Sequence, residues 1–205
     1  MRLPPVRSLQ GRTRRILKYS EIILASASPR RRELVKKIDG FSFTVEPSFA
    51  KENYGSLSLP EDITMFLAAK KAQEVFERRG GLVLGADTVV ATEDGKILGK
   101  PENFEQAEEM FRLLCGKTHT VVTGICLYSK EKKITKFEKT YVTFGAFNAE
   151  IVYNYIKSGN AYDKAGGYGI QDESLKPLIK RVDGDFDNVI GLPVRLVKEI
   201  LKENF

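Results

Sequence analysis

Two kinds of hydrophobic pattern alternate along the first half of the chain. Unbroken apolar runs at residues 22–24, within a predicted strand at 21–25, and at residues 82–84 predict buried strands, because strands covered on both faces lack alternating polar side chains. Apolar residues at helical spacing between residues 60 and 79 predict a long amphipathic helix. Residues 41–45 alternate apolar with polar side chains, which indicates another strand, and residues 46–59 are typical of a loop.

Caps and turn residues place the remaining predicted elements. Ser28 is expected to cap a helix that begins at Pro29, reaches about Asp39 and ends at Gly40. Gly85 is predicted to break the strand that starts at residue 82. The other predicted elements are a resumed strand at 89–90, a hairpin turn at 93–96, helices at 104–114, 148–159 and 193–201, strands at 118–128, 134–144 and 178–182, and a glycine-rich loop at 161–171.

The centre of the chain determines the predicted fold class. The β-rich runs at 118–128 and 134–144 are joined by a short charged turn, which is typical of an antiparallel pair. The first half alternates strands with helices instead. Together these patterns predict an α/β fold, with a mixed twisted β-sheet flanked by helices.

Composition excludes several classes of protein. The chain has 205 residues, of which 42% are hydrophobic and 29% charged, as in ordinary globular domains. No apolar run approaches the roughly 20 residues that a bilayer requires, so no membrane partner is expected. Cys115 and Cys126 are too few for a disulfide scaffold and indicate thiols of a reducing compartment. The single histidine, His119, is expected to be structural rather than catalytic.

The positive charge of the chain is confined to its beginning. The formal net charge is +6, and residues 1–18 contain six basic residues and no acidic one. The rest of the chain therefore carries as many acidic as basic side chains. Because nucleic-acid binding needs a basic surface on the folded body, no nucleic-acid partner is expected.

Residues 1–20 are predicted to be a basic N-terminal extension, followed by a single domain at residues 21–205. The extension lacks the apolar core of a secretory signal. It is either a mitochondrial-type targeting sequence, or a disordered extension or start-site artefact. A cytoplasmic location is expected, with a mitochondrial one as the alternative.

The first candidate site is the beginning of the first helix. A helix N-terminus attracts anions, and the forked side chains of Arg30 and Arg31 suit phosphate oxygens. Ser28 belongs to the same turn. The alternative is a capped helix with solvated arginines.

Isolated charges in apolar surroundings form the second group of candidates. Asp87 follows a buried strand, where an ionised carboxylate needs a partner or a metal. Lys71 and Lys100 are suited to phosphate as point charges, and Glu52 lies in the loop before the long helix. The alternatives are an aspartate that turns the chain and ordinary surface residues.

The glycine-rich stretch at 165–171 is the third candidate. Its glycines allow a close backbone approach, and Gln171 at its end has the donor and acceptor needed to bind a base edge. The alternative is a surface loop.

In this order, the motifs resemble the Maf family of nucleoside triphosphate pyrophosphatases, also called septum-formation proteins. The matching segments cover the chain from about residue 21 to its end: LASASPRR from residue 24, LAAKKA from 67, GADT from 85, LGKP from 98, GKTH from 116, VTG from 122, DKAGGYGIQ from 163 and NVIGLP from 188. The resemblance implies a nucleotide cleft between two lobes and metal-dependent hydrolysis of a nucleoside triphosphate to the monophosphate and pyrophosphate.

The resemblance also implies roles for individual residues. Asp87 is similar to the catalytic carboxylate that accepts a proton and contacts the metal, Mg²⁺ or Mn²⁺. Glu52 is similar to the second metal carboxylate, with Glu46 and Glu61 as competitors for that position. The implied phosphate-binding residues are Ser28, Arg30, Arg31, Lys71 and Lys100, and the residues implied for base preference are Arg30, Thr88 and Gln171.

Finer features indicate the branch of the family that acts on dTTP, UTP and related pyrimidines. Arg30 and Arg31 directly follow a proline, Ala86 precedes Asp87, and the glycine-rich loop ends in Gln171. The resemblance further implies a homodimer. The alternative is a non-catalytic nucleotide-binding regulator of cell division on the same fold.

Overall fold

The computed structural model describes residues 19–205, which form a mixed β-sheet with helices on both faces. The strands are β1 (Glu21–Leu24), β2 (Ser42–Val45), β3 (Val83–Ala91), β4 (Ile97–Leu98), β5 (Thr118–Tyr128), β6 (Lys133–Phe144) and β7 (Ile179–Asp183). The helices are α1 (Pro29–Val35), α2 (Pro60–Arg79), α3 (Phe104–Leu114), α4 (Ala149–Lys157), α5 (Phe186–Ile190) and α6 (Val194–Asn204). Two short 3₁₀ turns, Ala165–Gly167 and Glu173–Leu178, precede β7.

The sheet combines a parallel and an antiparallel half. Its order is β2-β1-β3-β5-β6-β7, with β4 paired to β3. The pairs of β1 with β2 and β3 are parallel, and the pairs of β5 with β3 and β6 are antiparallel. This arrangement confirms the predicted α/β class and mixed sheet.

The two faces of the sheet are covered differently. Helix α2 packs against one face, where Ala68, Ala72 and Val75 contact Val83 and Cys126. On the opposite face two hydrophobic clusters lie side by side. The first joins α1 and α6 to Leu84, Ala86 and Ile125, and the second joins α3 and α4 to Val90, Val121 and Val142.

Strand β3 runs unbroken from Val83 to Ala91, so the predicted break at Gly85 is wrong. Gly85 lies where α2 crosses the sheet: a Cβ there would stand 2.2 Å from the carbonyl oxygen of Ala68. On the neighbouring strand β5, a Cβ at Gly124, which pairs with Asp87, would stand 2.3 Å from the backbone of Thr64. Both glycines permit close packing of α2 against the sheet. Because β3 continues through Gly85, Asp87 lies within the strand rather than after it.

Helix α1 ends at Val35, four residues earlier than predicted. The amides of Lys37 and Ile38 bond to the carbonyls three residues before them, so the chain tightens into turns instead of continuing the helix. Short helix α5, capped by the side chain of Asp185, was not predicted.

Among residues 19–205, no helix is both long and apolar enough to cross a membrane. Most of the basic extension predicted at residues 1–20 lies outside the described residues, so that prediction is untested.

Candidate active site

A cleft of about 620 Å³ opens beside β3, in the gap left between two of its partners. Strand β1 pairs with β3 only at Val83 and Leu84, and β4 pairs only at Val90 and Ala91. The intervening edge of β3 therefore faces the cleft. All nine predicted site residues line it: Ser28, Arg30, Arg31, Glu52, Lys71, Asp87, Thr88, Lys100 and Gln171.

The ammonium of Lys71 joins two carboxylates at one side of the cleft. Lys71 Nζ lies 2.6 Å from Asp87 Oδ1 and 2.6 Å from Glu52 Oε1. The side chains of Lys71 and Asp87 are 13% and 10% exposed, whereas Glu52 is 56% exposed. Because both oxygens contact the same nitrogen, Asp87 Oδ1 and Glu52 Oε1 lie no farther apart than the sum of these two distances. Lys71 thus brings together a carboxylate of strand β3 and one of the loop before α2.

The competing glutamates lie elsewhere. Glu46 pairs with Arg78 at the end of α2, and Glu61 pairs with Lys139 of β6. Neither residue lines the cleft. Glu52 is therefore the glutamate that the structure brings to Asp87.

The environments of the two carboxylates shift their pKa values in opposite directions. Burial raises the pKa of Asp87, although the nearby charges of Lys71 and Arg31 partly oppose this effect. Burial acts in the same sense on Glu52 but is outweighed by the Lys71 hydrogen bond and by the charges of Lys71, Lys100 and Arg31, which lower its pKa. A buried carboxyl group with a raised pKa, such as Asp87, is suited to accept a proton. The carboxylate of Glu52, with its lowered pKa, is suited to bind a cation.

Arg31 is held rigidly across the cleft. Its Nε donates to the carbonyl of Gly191 at 2.8 Å, and its terminal nitrogen donates to Thr88 Oγ1 at 2.9 Å. Burial lowers its pKa, but a guanidinium remains charged in proteins. Arg31 therefore places a fixed positive charge beside Asp87.

Arg30 and Ser28 bond to protein groups that the resemblance did not indicate. Arg30 pairs with Asp163 at 2.5 Å and also donates to the Asp163 carbonyl, which links α1 to the loop before the glycines. Ser28 Oγ caps α1 by accepting from the amide of Arg31. Both side chains line the cleft, yet each already has a protein partner.

The glycine-rich loop forms the opposite wall of the cleft. The hydroxyl of Tyr155 donates to Asp172 and accepts from the amide of Gly169, which anchors the loop to α4. Gln171, at the end of the loop, and Lys100, after β4, are exposed at the cleft.

Thr123 and Asn188, two buried residues behind the cleft, were given no role by the sequence analysis. Thr88 Oγ1 and Thr123 Oγ1 lie 2.9 Å apart, and Thr123 Oγ1 donates to the carbonyl of Asn188 at 3.0 Å. Asn188 in turn donates from its side-chain amide to Val121 and Thr140. The sequence does contain a signal for this contact. At every second position from Ala86 to Val90, and from Val121 to Ile125, the residues are apolar except for the middle one, which is Thr88 or Thr123.

His119 lies away from the cleft lining and is only 2% exposed. Its Nε2 is 2.7 Å from the hydroxyl of Tyr168, and its ring meets Phe144 edge to face. Its Nδ1 is buried without a hydrogen-bond partner, as expected for an uncharged ring in an apolar core. Burial lowers the pKa of His119 to about 4.

We expect the folded protein to lose stability between pH 7 and pH 5 through this histidine. The unfolded chain binds the proton near pH 6.5, whereas the folded chain resists it down to about pH 4, so the unfolded state gains as the pH falls. The loss at pH 5 should be about 2 kcal/mol. Urea unfolding at both pH values would measure it, and His119→Gln should flatten this slope. An equal slope in the variant would contradict the assignment.

The site's donor set suits a hard divalent cation. Among residues 19–205, no group of three or more histidine, cysteine, aspartate or glutamate side chains is arranged to hold a metal. Asp87 and Glu52 do bring two carboxylates together, and they already share the cationic nitrogen of Lys71. Mg²⁺ typically takes one or two protein carboxylates together with substrate phosphates. The residues present therefore fit such an ion, although the geometry by itself names none.

Comparison with known proteins places these features in a family. The model of a family described as Maf-like protein matches residues 21–204. A Bacillus mycoides protein named dTTP/UTP pyrophosphatase is 47% identical over 182 residues, covering 88% of this chain and 94% of its own. A Bacillus cereus protein of the same name is 46% identical over the same coverage.

The fold also has a counterpart among solved structures. The Ham1 protein of Staphylococcus aureus aligns over 90% of this chain and 100% of its own, with a TM-score of 0.53 and 14% identity. At that identity the likeness concerns the fold alone.

Proposed function

The chain belongs to the Maf family, and we propose that it hydrolyses dTTP, UTP and related pyrimidine nucleoside triphosphates to the monophosphate and pyrophosphate. The observation that carries the proposal is the Asp87–Lys71–Glu52 cluster, which sets two carboxylates beside basic groups in one cleft. The names of relatives 46–47% identical over most of the chain support the substrate class.

In this proposal Asp87 is the proton acceptor. It orients a water toward the α-phosphorus and takes its proton as the oxygen–phosphorus bond forms. The bond from the α-phosphorus to its bridging oxygen breaks, and pyrophosphate leaves. The raised pKa of Asp87 suits this role, since a more basic carboxylate accepts a proton more readily.

The basic residues of the cleft counter the charge of the triphosphate. Arg31 and Lys71 are fixed by protein contacts, whereas Lys100 is exposed and free to follow the leaving group. Arg30 would exchange part of its Asp163 contact for phosphate. Ser28 contributes at the N-terminus of the same helix.

A divalent cation, Mg²⁺ or Mn²⁺, completes the proposal. Asp87 and Glu52 would hold it, and it would supply neutralising charge for the phosphates. Lys71 keeps the two carboxylates together and would share them with the ion. Base preference is assigned to Thr88, Gln171 and Arg30, which also line the cleft.

We further propose a homodimer, a cytoplasmic location with a mitochondrial one as the alternative, and no nucleic-acid partner. These three proposals rest on the resemblance and on the charge balance after residue 18.

Pyrophosphate release from a panel of nucleoside triphosphates, with Mg²⁺ and with Mn²⁺, tests the function. We expect release from dTTP and UTP to exceed release from ATP and GTP. Release that favours purines would overturn the substrate class. Tight nucleotide binding without release at either metal would support the regulatory alternative instead.

A further inference from the structure

Behind the cleft, a chain of three hydrogen bonds runs in one direction. It starts at Arg31, passes through the hydroxyls of Thr88 and Thr123, and ends at the backbone carbonyl of Asn188. Thr123 is fully buried and Thr88 is half-buried in the cleft wall. The chain therefore connects the cleft to a fixed group in the core.

The two ends of the chain fix the direction of both hydroxyls. A guanidinium has only donors, so Thr88 Oγ1 accepts from Arg31. A carbonyl has only lone pairs, so Thr123 donates to Asn188. Each hydroxyl has a single hydrogen, so the contact between them requires Thr88 to donate to Thr123. The reverse direction would leave the oxygens of Thr123 and Asn188 3.0 Å apart with no hydrogen between them.

Thr88 consequently has no hydrogen to offer a ligand. Its hydrogen points into the core, one lone pair is taken by Arg31, and one lone pair remains for the cleft. A ligand group at Thr88 must then be a hydrogen-bond donor, because a phosphate oxygen or another bare acceptor would meet lone pair against lone pair.

We propose that Thr123 is a positioning residue that selects uracil and thymine over cytosine by holding Thr88 as an acceptor. This inference rests on the proposed pyrimidine triphosphate substrate. Uracil and thymine carry an N–H at position 3, whereas cytosine has a bare acceptor there. Where position 3 of the base meets Thr88, a hydroxyl that can only accept therefore favours the imide bases, because cytosine has a donor only on its 4-amino group and would have to shift to use it.

The sugar is the other source of a donor in the same ligand. A ribose or deoxyribose hydroxyl is common to uridine and cytidine nucleotides, so its contact with Thr88 would give no base preference. The two sources are distinguished by comparing UTP with CTP and with 3′-deoxy-UTP.

The decisive variant is Thr123→Val, which removes the hydroxyl and nearly preserves side-chain shape. Thr88 is then free to turn its hydrogen toward the cleft and donate to cytosine. We expect the preference for the UTP over the CTP analogue to fall about tenfold, mainly through tighter binding of the CTP analogue. Thr123→Ser keeps the hydroxyl and should retain the preference.

Thr140→Val is the matched control. Thr140 is also a fully buried threonine that bonds to the α5 region, through the carbonyl of Asp185 and the side chain of Asn188, but it does not contact Thr88. It should cost stability and leave the base preference unchanged. An equal change in both variants would show that the base preference depends on packing and on the placement of Asn188 rather than on the Thr123 hydroxyl, and would overturn the inference.

The readout is the dissociation constant of α,β-imido-UTP and α,β-imido-CTP, measured by calorimetry alongside hydrolysis of the natural nucleotides. Binding tests the inference even where turnover is absent, so failure of the proposed function is seen separately. An unchanged binding ratio in Thr123→Val would overturn the inference. So would wild-type binding that depends on the 3′-hydroxyl but not on the base.

Discussion

Asp87→Asn should reduce kcat for pyrophosphate release by about 10²- to 10⁴-fold, because an amide cannot accept the proton of the attacking water. The substitution is nearly isosteric within β3. Burial raises the pKa of Asp87, which means that the ionised form is disfavoured in this position. Replacing it by a neutral amide should therefore not unfold the protein, and Lys71 keeps its pair with Glu52.

Initial rates at saturating dTTP and UTP, together with urea unfolding, would measure both effects. Asp94→Asn is the matched control, since Asp94 is an exposed aspartate in the turn between β3 and β4. It should leave kcat unchanged. Activity of Asp87→Asn within a few-fold of the wild type would remove Asp87 from its proposed role.

The sequence predicts the fold well where local pattern and tertiary packing agree. Runs of apolar residues mark β1 and the start of β3, and the spacing on α2 marks its buried face. It fails at Gly85, where the local preference of glycine suggests a break. The missing side chain instead serves the packing of α2, which depends on residues 68–72 and cannot be seen locally.

The site residues likewise fall into those that local sequence motifs predict and those that only the tertiary fold reveals. Residues in compact motifs, such as Arg31 and Asp87, were singled out because a charged side chain stands beside a predicted element end, and both line the cleft although Asp87 lies within β3. Thr123 and Asn188 were missed because their significance depends on a strand pairing and on the short helix α5. Thr88 stands opposite Thr123 only in the register of β3 with β5. A polar residue at a position where the alternation favours an apolar one indicates a buried hydrogen bond, but only the fold shows which residue it bonds to.

Lys71→Met should reduce kcat/KM about 10²- to 10³-fold at neutral pH through loss of the charge that joins Asp87 to Glu52. Lys71 is the strongest of the neighbouring charges that oppose the raised pKa of Asp87. Without it the pKa of Asp87 rises further, so the unprotonated form required for catalysis appears only at higher pH. The acid limb of kcat/KM should move upward, and the variant should recover part of its activity at alkaline pH.

The pH profile of kcat/KM separates this electrostatic role from simple loss of phosphate binding. Loss of a phosphate contact alone would lower the whole profile without moving its acid limb. Lys70→Met is the matched control on the same helix: Lys70 lies over the ring of Phe66 and does not line the cleft. Lys70→Met should leave both the maximal kcat/KM and the pH of the acid limb unchanged. An unshifted acid limb in Lys71→Met would mean that the charge of Arg31 alone sets the protonation of Asp87, since Arg31 is the other cation acting on that carboxylate.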